Sequence, residues 1–151
     1  MFGLCLKPVF AFLAVVTLHP NDHHVTNMDG VQIEGQTCAS GFGAYANAMS
    51  SELYAGGIQY GFEMKATEDL SVIVQPFVGA SYTSREFVRE LPNGYQFDTG
   101  ARLLVKWKHL IGYVGWQHDS SGGLGRKVVT RHAWYGNTGM DFLKFGVGYS
   151  F

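Results

Sequence analysis

Charge is what this sequence has least of. Only 15% of its 151 residues are Asp, Glu, Lys or Arg, and 11 basic against 12 acidic residues leave a formal net charge of −1; soluble domains usually carry about 25%. Without a basic excess the chain cannot displace counterions from phosphate, so nucleic acid is excluded as the default partner. Its two cysteines, Cys5 and Cys38, form no CxxC pair, which removes the zinc-ribbon and dithiol redox motifs. They are either small buried hydrophobes or one disulfide made in an oxidising compartment. No window holds 18 uncharged apolar residues, so no segment has the length and character of a membrane-spanning helix. What the chain does have is 20 glycines and 15% aromatic residues, a composition that favours strands over helices.

The amino terminus has two readings. Lys7 precedes an apolar run that begins at Pro8 and continues to Leu18, which resembles a secretory signal peptide with an apolar core too short to span a bilayer. The following Leu18-His19-Pro20-Asn21-Asp22-His23-His24 lacks a small-x-small cleavage pattern. Residues 1–19 are therefore read as a signal peptide ahead of a single 20–151 domain, or part of them, around 13–19, is itself a lipid-facing strand. Asp22, His23 and His24 have no spaced third ligand and read as a polar loop. Neither a metal nor a cofactor is expected.

From Glu52 onward apolar residues recur at every second position. In 95–107 one phase is Tyr95, Phe97, Thr99, Ala101, Leu103, Val105 and Trp107, and the other holds Gln96, Asp98, Gly100, Arg102, Leu104 and Lys106. Residues 54–64 and 70–82 alternate in the same way, and Pro76 within the second run predicts a bulge. These runs are about 11–15 residues long, longer than globular strands and long enough to cross a bilayer at a tilt of about 45°. In lipid an open sheet edge would leave unpaired N–H and C=O groups, so closure into a barrel is required. Tyr54, Tyr82, Tyr95 and Trp107 fall where aromatic girdles are expected, while Arg102, Lys106, Glu63 and Asp98 are expected as charge pairs filling the lumen.

The final residues carry the most specific pattern. Phe151, Tyr149, Val147, Phe145 and Leu143 form one apolar phase ending on the terminal phenylalanine. This resembles the carboxy-terminal signature of bacterial outer-membrane barrels, which implies recognition by the barrel assembly machinery and residence in the outer membrane. Short connections at 66–69 and 108–109 suit the periplasmic side, and the longer 84–93 and 121–138 suit the outside. Counting back from the terminus gives strands near 139–151, 109–120, 94–108, 69–83, 52–65, 39–48 and 30–37. Seven is odd, whereas single-chain barrels have even numbers. Either residues before about 20 supply an eighth strand, or 127–135 pairs inside the barrel. The fold class expected is an all-β, antiparallel, up-and-down transmembrane barrel of eight strands.

The outward phase of 109–120 ends in His118 and Ser120, which as i and i+2 share a face about 6.6 Å apart along the strand. The next outward member above Leu143 is Asp141. His118 lies nine residues above the turn and Asp141 ten above the terminus, so both stand roughly 30 Å along neighbouring strands at the outer rim. A nucleophile, a base and an orienting acid are thereby predicted to converge on the exterior. The convergence requires that His118 face outward and that Asp141 lie within about 8 Å of it, given a hydrogen-bond reach of about 3 Å.

The segment Gly115-Trp116-Gln117-His118-Asp119-Ser120-Ser121-Gly122-Gly123 resembles the His-x-Ser motif of the outer-membrane lipid A 3-O-deacylases, eight-stranded barrels with an acidic residue on the last strand. The resemblance covers about the last forty residues. It implies a serine esterase acting on lipopolysaccharide, with Ser120 as nucleophile, His118 as base and Asp141 as orienting acid. Ser121, Gly122 and Gly123 would support the oxyanion. Two departures stand out: Ser121 occupies the place of the family's Asn, and Asp141 that of a Glu set closer to the motif. Arg126, Lys127, Arg131 and His132 in the last external loop are candidates for lipopolysaccharide phosphates, against the reading of a solvated loop. The alternative function is a non-enzymatic small barrel acting in adhesion, surface masking or structure through its loops. Oligomeric state is not legible.

Overall fold

The computed structural model describes residues 10–19, 30–49, 53–83, 94–120 and 139–151. Eight strands follow in order: β1 (Phe10–His19), β2 (Gly30–Gln36), β3 (Gly41–Met49), β4 (Leu53–Lys65), β5 (Leu70–Thr83), β6 (Gly94–Trp107), β7 (Leu110–Ser120) and β8 (Gly139–Ser150). Each pairs antiparallel with the next, and β8 pairs with β1 to close the barrel. The eighth strand required by parity is Phe10–His19, within the apolar run that resembles a leader. The alternative strand at 127–135 lies outside the described residues.

The ladders stagger by ten residues over one circuit of the barrel. With eight strands about 4.8 Å apart and about 3.3 Å per residue, this stagger sets a strand tilt of about 40°. The tilt shortens the rise: nine residues of β7 climb roughly 23 Å along the barrel axis rather than 30 Å. His118 therefore stands near the top of the apolar band, which in such barrels is about 25 Å tall.

Three tight turns gather at one end, at 37–40, 66–69 and 108–109, together with the carboxy terminus. At 66–69 the Thr67 hydroxyl accepts hydrogen bonds from the backbone N–H of Asp69 and Leu70, an ST-turn that needs no glycine. In the two-residue turn 108–109, Lys108 takes the left-handed conformation at φ 55°. Turn 37–40 folds into the lumen, where Ala39 joins Ile73, Leu104, Ile111 and Tyr113 in an apolar plug. Gln59 donates to the Cys38 carbonyl at 2.8 Å and Gln75 to that of Ala39 at 3.2 Å. Cys38 itself is disulfide-bonded, the second of the two states open to it from the sequence. Gly61 leaves room for this turn, because a Cβ there would lie 1.8 Å from the Ala39 carbonyl oxygen.

Side chains sort by parity. Ile33, Tyr54, Phe62, Val78, Phe97, Trp107, Phe145 and Val147 face outward, with Val147 67% exposed. That exterior is stable only against hydrocarbon, because an apolar surface this continuous is absent from soluble monomers. Inside, Arg102 is 2% exposed. Its Nε and Nη2 bond both carboxylate oxygens of Glu34 at 3.1 Å, and Nη1 donates to Gln59 and Gln75 at 3.1 and 3.2 Å. Its guanidinium lies 4.0 Å from the Phe77 ring centroid and 4.7 Å from that of Tyr45.

Two expectations about the wall and lumen are corrected. Of the four residues expected as lumen charge pairs, Arg102 is ion-paired with Glu34, which was not among them, and Glu63 sits at the exposed lower end of β4. Asp98 is buried but accepts from the Tyr45 hydroxyl at 2.5 Å. Pro76 makes no bulge, since the β4–β5 register is unchanged on either side of it. The ladder instead omits the Tyr60 and Gly61 pairings with Pro76 and Gln75. A proline lacks the N–H that would bridge there, and a cavity of about 290 Å³ opens on the wall beside it, lined by Phe42, Ile58, Gln59, Tyr60, Pro76, Phe77 and Val78.

Candidate active site on the barrel exterior

The ladder between β7 and β8 pairs His118 directly with Asp141, and Ser120 with Gly139. On its other side β7 pairs His118 with Thr99 and Ser120 with Phe97. Directly opposed residues of antiparallel strands have Cα atoms about 4.5–5.5 Å apart, inside the 8 Å that the catalytic reading requires. The 121–138 connection thus returns the chain to β8 in the one register that sets histidine against aspartate.

His118 lies in the outward phase. Its neighbours Gln117 and Asp119 are fully buried in the lumen, whereas Trp116 is 48% exposed and His118 half-buried. The imidazole stacks on the Trp116 indole with centroids 6.1 Å apart and planes at 27°. Below this pair the exterior is purely apolar, with Val114, Phe145 and Val147. An ester bond near His118 would therefore have its acyl chain alongside hydrocarbon-facing wall and its polar part above.

The wall behind the site is held from within. Gln117 Nε2 donates to both carboxylate oxygens of Asp119, at 3.3 and 3.2 Å. Lys144 donates to Gln117 and, at 2.5 Å, to Gln32. Asp119 stands opposite Asp98 in the ladder, so although it sits between His118 and Ser120 in sequence it belongs to the lumen network. These buried bonds tie β7 to β8 and β2 and limit rotation of the strand that carries His118.

Ser120 and Asp141 are placed by their strands and register, Ser120 in the phase of His118 and Trp116, Asp141 in that of Phe145 and Val147. Ser121, Gly122, Gly123, Arg126, Lys127, Arg131 and His132 lie outside the described residues. Among the described residues no three His, Cys, Asp or Glu side chains converge as a metal site. The next ladder outward adds a residue that the sequence left inside the leader-like segment: β1 pairs His19 with Asp141. Only the closure of β8 onto β1 brings it there, and no local pattern announces it.

No protein-family model matches the sequence, and no curated protein matches it either. Among solved structures, the outer membrane enzyme PagL superposes with a TM-score of 0.55 over 92% of this chain and 97% of that one, at 12% identity. The fold is that of an outer-membrane β-barrel. Matches also include the Yersinia pestis outer membrane protein Ail in nanodiscs, with a TM-score of 0.47, 10% identity, and 96% and 100% of the two chains covered. A de novo designed transmembrane β-barrel scores 0.46 at 16% identity over 96% of this chain and 98% of that one. Closed strands and a continuous apolar exterior are the architecture of a transmembrane β-barrel, and the likeness to the PagL structure is one of fold.

Proposed function

We propose that this barrel is a serine esterase that hydrolyses an acyl ester of lipid A in the outer leaflet. The observation that carries the reading is the pairing of His118 with Asp141 on neighbouring strands, with Ser120 two residues on in the same outward phase. In this mechanism His118 takes the proton of Ser120 as its Oγ attacks the ester carbonyl. The tetrahedral oxyanion is held by backbone N–H groups near Ser121, Gly122 and Gly123, and His118 returns the proton to the departing sugar hydroxyl. Water, deprotonated by the same imidazole, then cleaves the acyl-serine and frees the fatty acid. Asp141 holds His118 in the tautomer whose far nitrogen accepts the proton, and no metal or other cofactor is needed. Arg126, Lys127 and Arg131 are the cations proposed for lipid A phosphates.

The reading draws support from the likeness of residues 115–123 to the deacylase motif and from a site set at the boundary between hydrocarbon and headgroups. The test is fatty-acid release from purified lipopolysaccharide by the barrel folded in vesicles, wild type against Ser120→Ala. Release by the wild type and none by the variant is expected. A folded wild-type barrel that releases nothing overturns the reading and leaves a loop-mediated adhesion, masking or structural role.

A further inference from the structure

The cavity of about 290 Å³ beside Pro76 interrupts the wall where the β4–β5 ladder is open. Its rim belongs to the outward phase, at Phe42, Ile58, Tyr60, Pro76 and Val78. Its floor does not, because Gln59 and Phe77 are lumen residues, only 2% and 5% exposed. Two positions create this depth. Pro76 lacks the N–H that would bridge the strands, and Gly100 makes room for the Phe77 ring, since a Cβ there would stand 2.6 Å from its Cζ. Pro76 lies six residues up β5 from Leu70, the ladder partner of the girdle residue Trp107. On a strand tilted by about 40° that is a climb of about 15 Å, which sets the cavity near the middle of an apolar band about 25 Å tall. At that depth it meets hydrocarbon and not water.

We propose that this cavity is a binding site for one acyl chain of a bilayer phospholipid, entering from the leaflet on the side of the tight turns. β3 begins at Gly41, opposite Gly61, so from Phe62 to Lys65 β4 is laddered to β5 alone and the wall steps back beneath Phe42. Phe62 and Met64, 57% and 60% exposed, flank that step, and the Tyr60 ring continues upward from Phe62 with centroids 4.8 Å apart. The lipid-facing surface therefore runs into the cavity without a break. Polar capacity in the floor is already used: Gln59 donates to Gln36 and to the Cys38 carbonyl at 3.0 and 2.8 Å, and accepts from Arg102 at 3.1 Å. Apolar cavities exclude water, and one of about 150 Å³ takes a benzene molecule, so this volume suits about a dozen carbons, the outer part of a single chain. The Phe77 ring also carries the Arg102 guanidinium, 4.0 Å from its centroid. A chain seated on that ring closes the wall that the proline opens and keeps water from the Arg102–Glu34 pair. The site stands apart from the proposed esterase chemistry and does not depend on it.

The test is nuclear Overhauser transfer from lipid to protein, with the barrel in phosphatidylcholine nanodiscs whose acyl chains are either protonated or perdeuterated. Val147, 67% exposed on the wall, meets chains in any case and is the reference, while Ile73, 1% exposed inside the barrel, should meet none. Cross-peaks between chain protons and the Phe77 ring are expected, and they should vanish with perdeuterated chains. Val78→Trp, which sets a large ring at the mouth, and Pro76→Val, which restores the ladder, should each abolish the Phe77 peaks and leave those of Val147. A Phe77 ring that contacts only protein or water overturns the proposal. So do lipid peaks that survive in the closed barrel of either variant, and so does equal intensity at Phe77 and Ile73, which would mean that chains enter the lumen at large. Electrophoretic heat-modifiability shows whether each barrel is closed, and the wild-type spectra decide alone for a variant that fails to close.

Discussion

Replacing Arg102 by methionine keeps most of the volume of the side chain and removes the cation at the centre of the lumen. In the wild type this guanidinium makes two bonds to Glu34 and one each to Gln59 and Gln75, and it is stacked against Phe77 and Tyr45. Breaking a buried ion pair from one side costs about 3–5 kcal/mol, because a charge is left without its counter-charge. Here Glu34 keeps three neutral donors, from Gln36 at 2.7 Å, Gln32 at 3.0 Å and Asn47 at 3.3 Å, which places the expected loss at the lower end, about 3 kcal/mol. The double variant Arg102→Met, Glu34→Gln should recover much of it, since both charges then leave together. Urea unfolding from lipid vesicles, followed by tryptophan fluorescence and by the shift between folded and unfolded bands, measures the wild type and both variants. If Arg102→Met costs less than about 1 kcal/mol, or the double variant is no more stable than the single, the lumen is not organised around this pair.

Gly61→Ala is expected to expel the 37–40 turn from the lumen, because the new Cβ would meet the backbone of Ala39 rather than a flexible side chain; faster hydrogen exchange at residues 37–44 is the readout, and unchanged protection would show the clash to be absorbed. Asp119→Asn should raise stability by about 1 kcal/mol, since it removes one of two opposed buried carboxyls and offers an amide donor to Asp98 across the ladder; a loss of that size in the same urea assay would contradict it. Pro76→Val supplies the missing N–H and should stabilise the β4–β5 wall by about 1 kcal/mol, with new amide protection at residue 76; absence of that protection would mean that something other than proline opens the ladder. In the proposed esterase, Asp141→Asn should lower kcat by about 10²–10⁴ while the barrel still closes, and full activity would show that the acid of the site lies elsewhere.

Much of the wall was legible from the chain alone. The alternation of Phe97, Leu103, Val105 and Trp107 against Gln96, Asp98 and Arg102 assigned each side chain to lipid or lumen as the structure has it. Parity also demanded an eighth strand, and Phe10–His19 is that strand. Pairings inside the lumen were not legible, because Arg102 and Glu34 are 68 residues apart and meet only across the interior of the closed barrel. Pro76 was singled out correctly but misread, since a proline in a wall strand omits its bonds as readily as it inserts a bulge. Of the residues proposed for the site, His118 and Asp141 were expected at one height on neighbouring strands, and the ladder pairs them.

The sequence by itself determined the period-two pattern, and with it which residues face lipid and which fill the barrel. That information is local, because the pleat of an extended backbone turns successive side chains to opposite faces whatever the strand pairs with. Only the tertiary structure decided the register: that β8 returns from the 121–138 connection with Asp141 opposite His118, and that closure sets His19 on the other side of Asp141. Register is not local. It depends on how each strand slides against its neighbour until the apolar band is level and every backbone group is paired around the ring, so a row of residues drawn from three strands exists only once the barrel has closed.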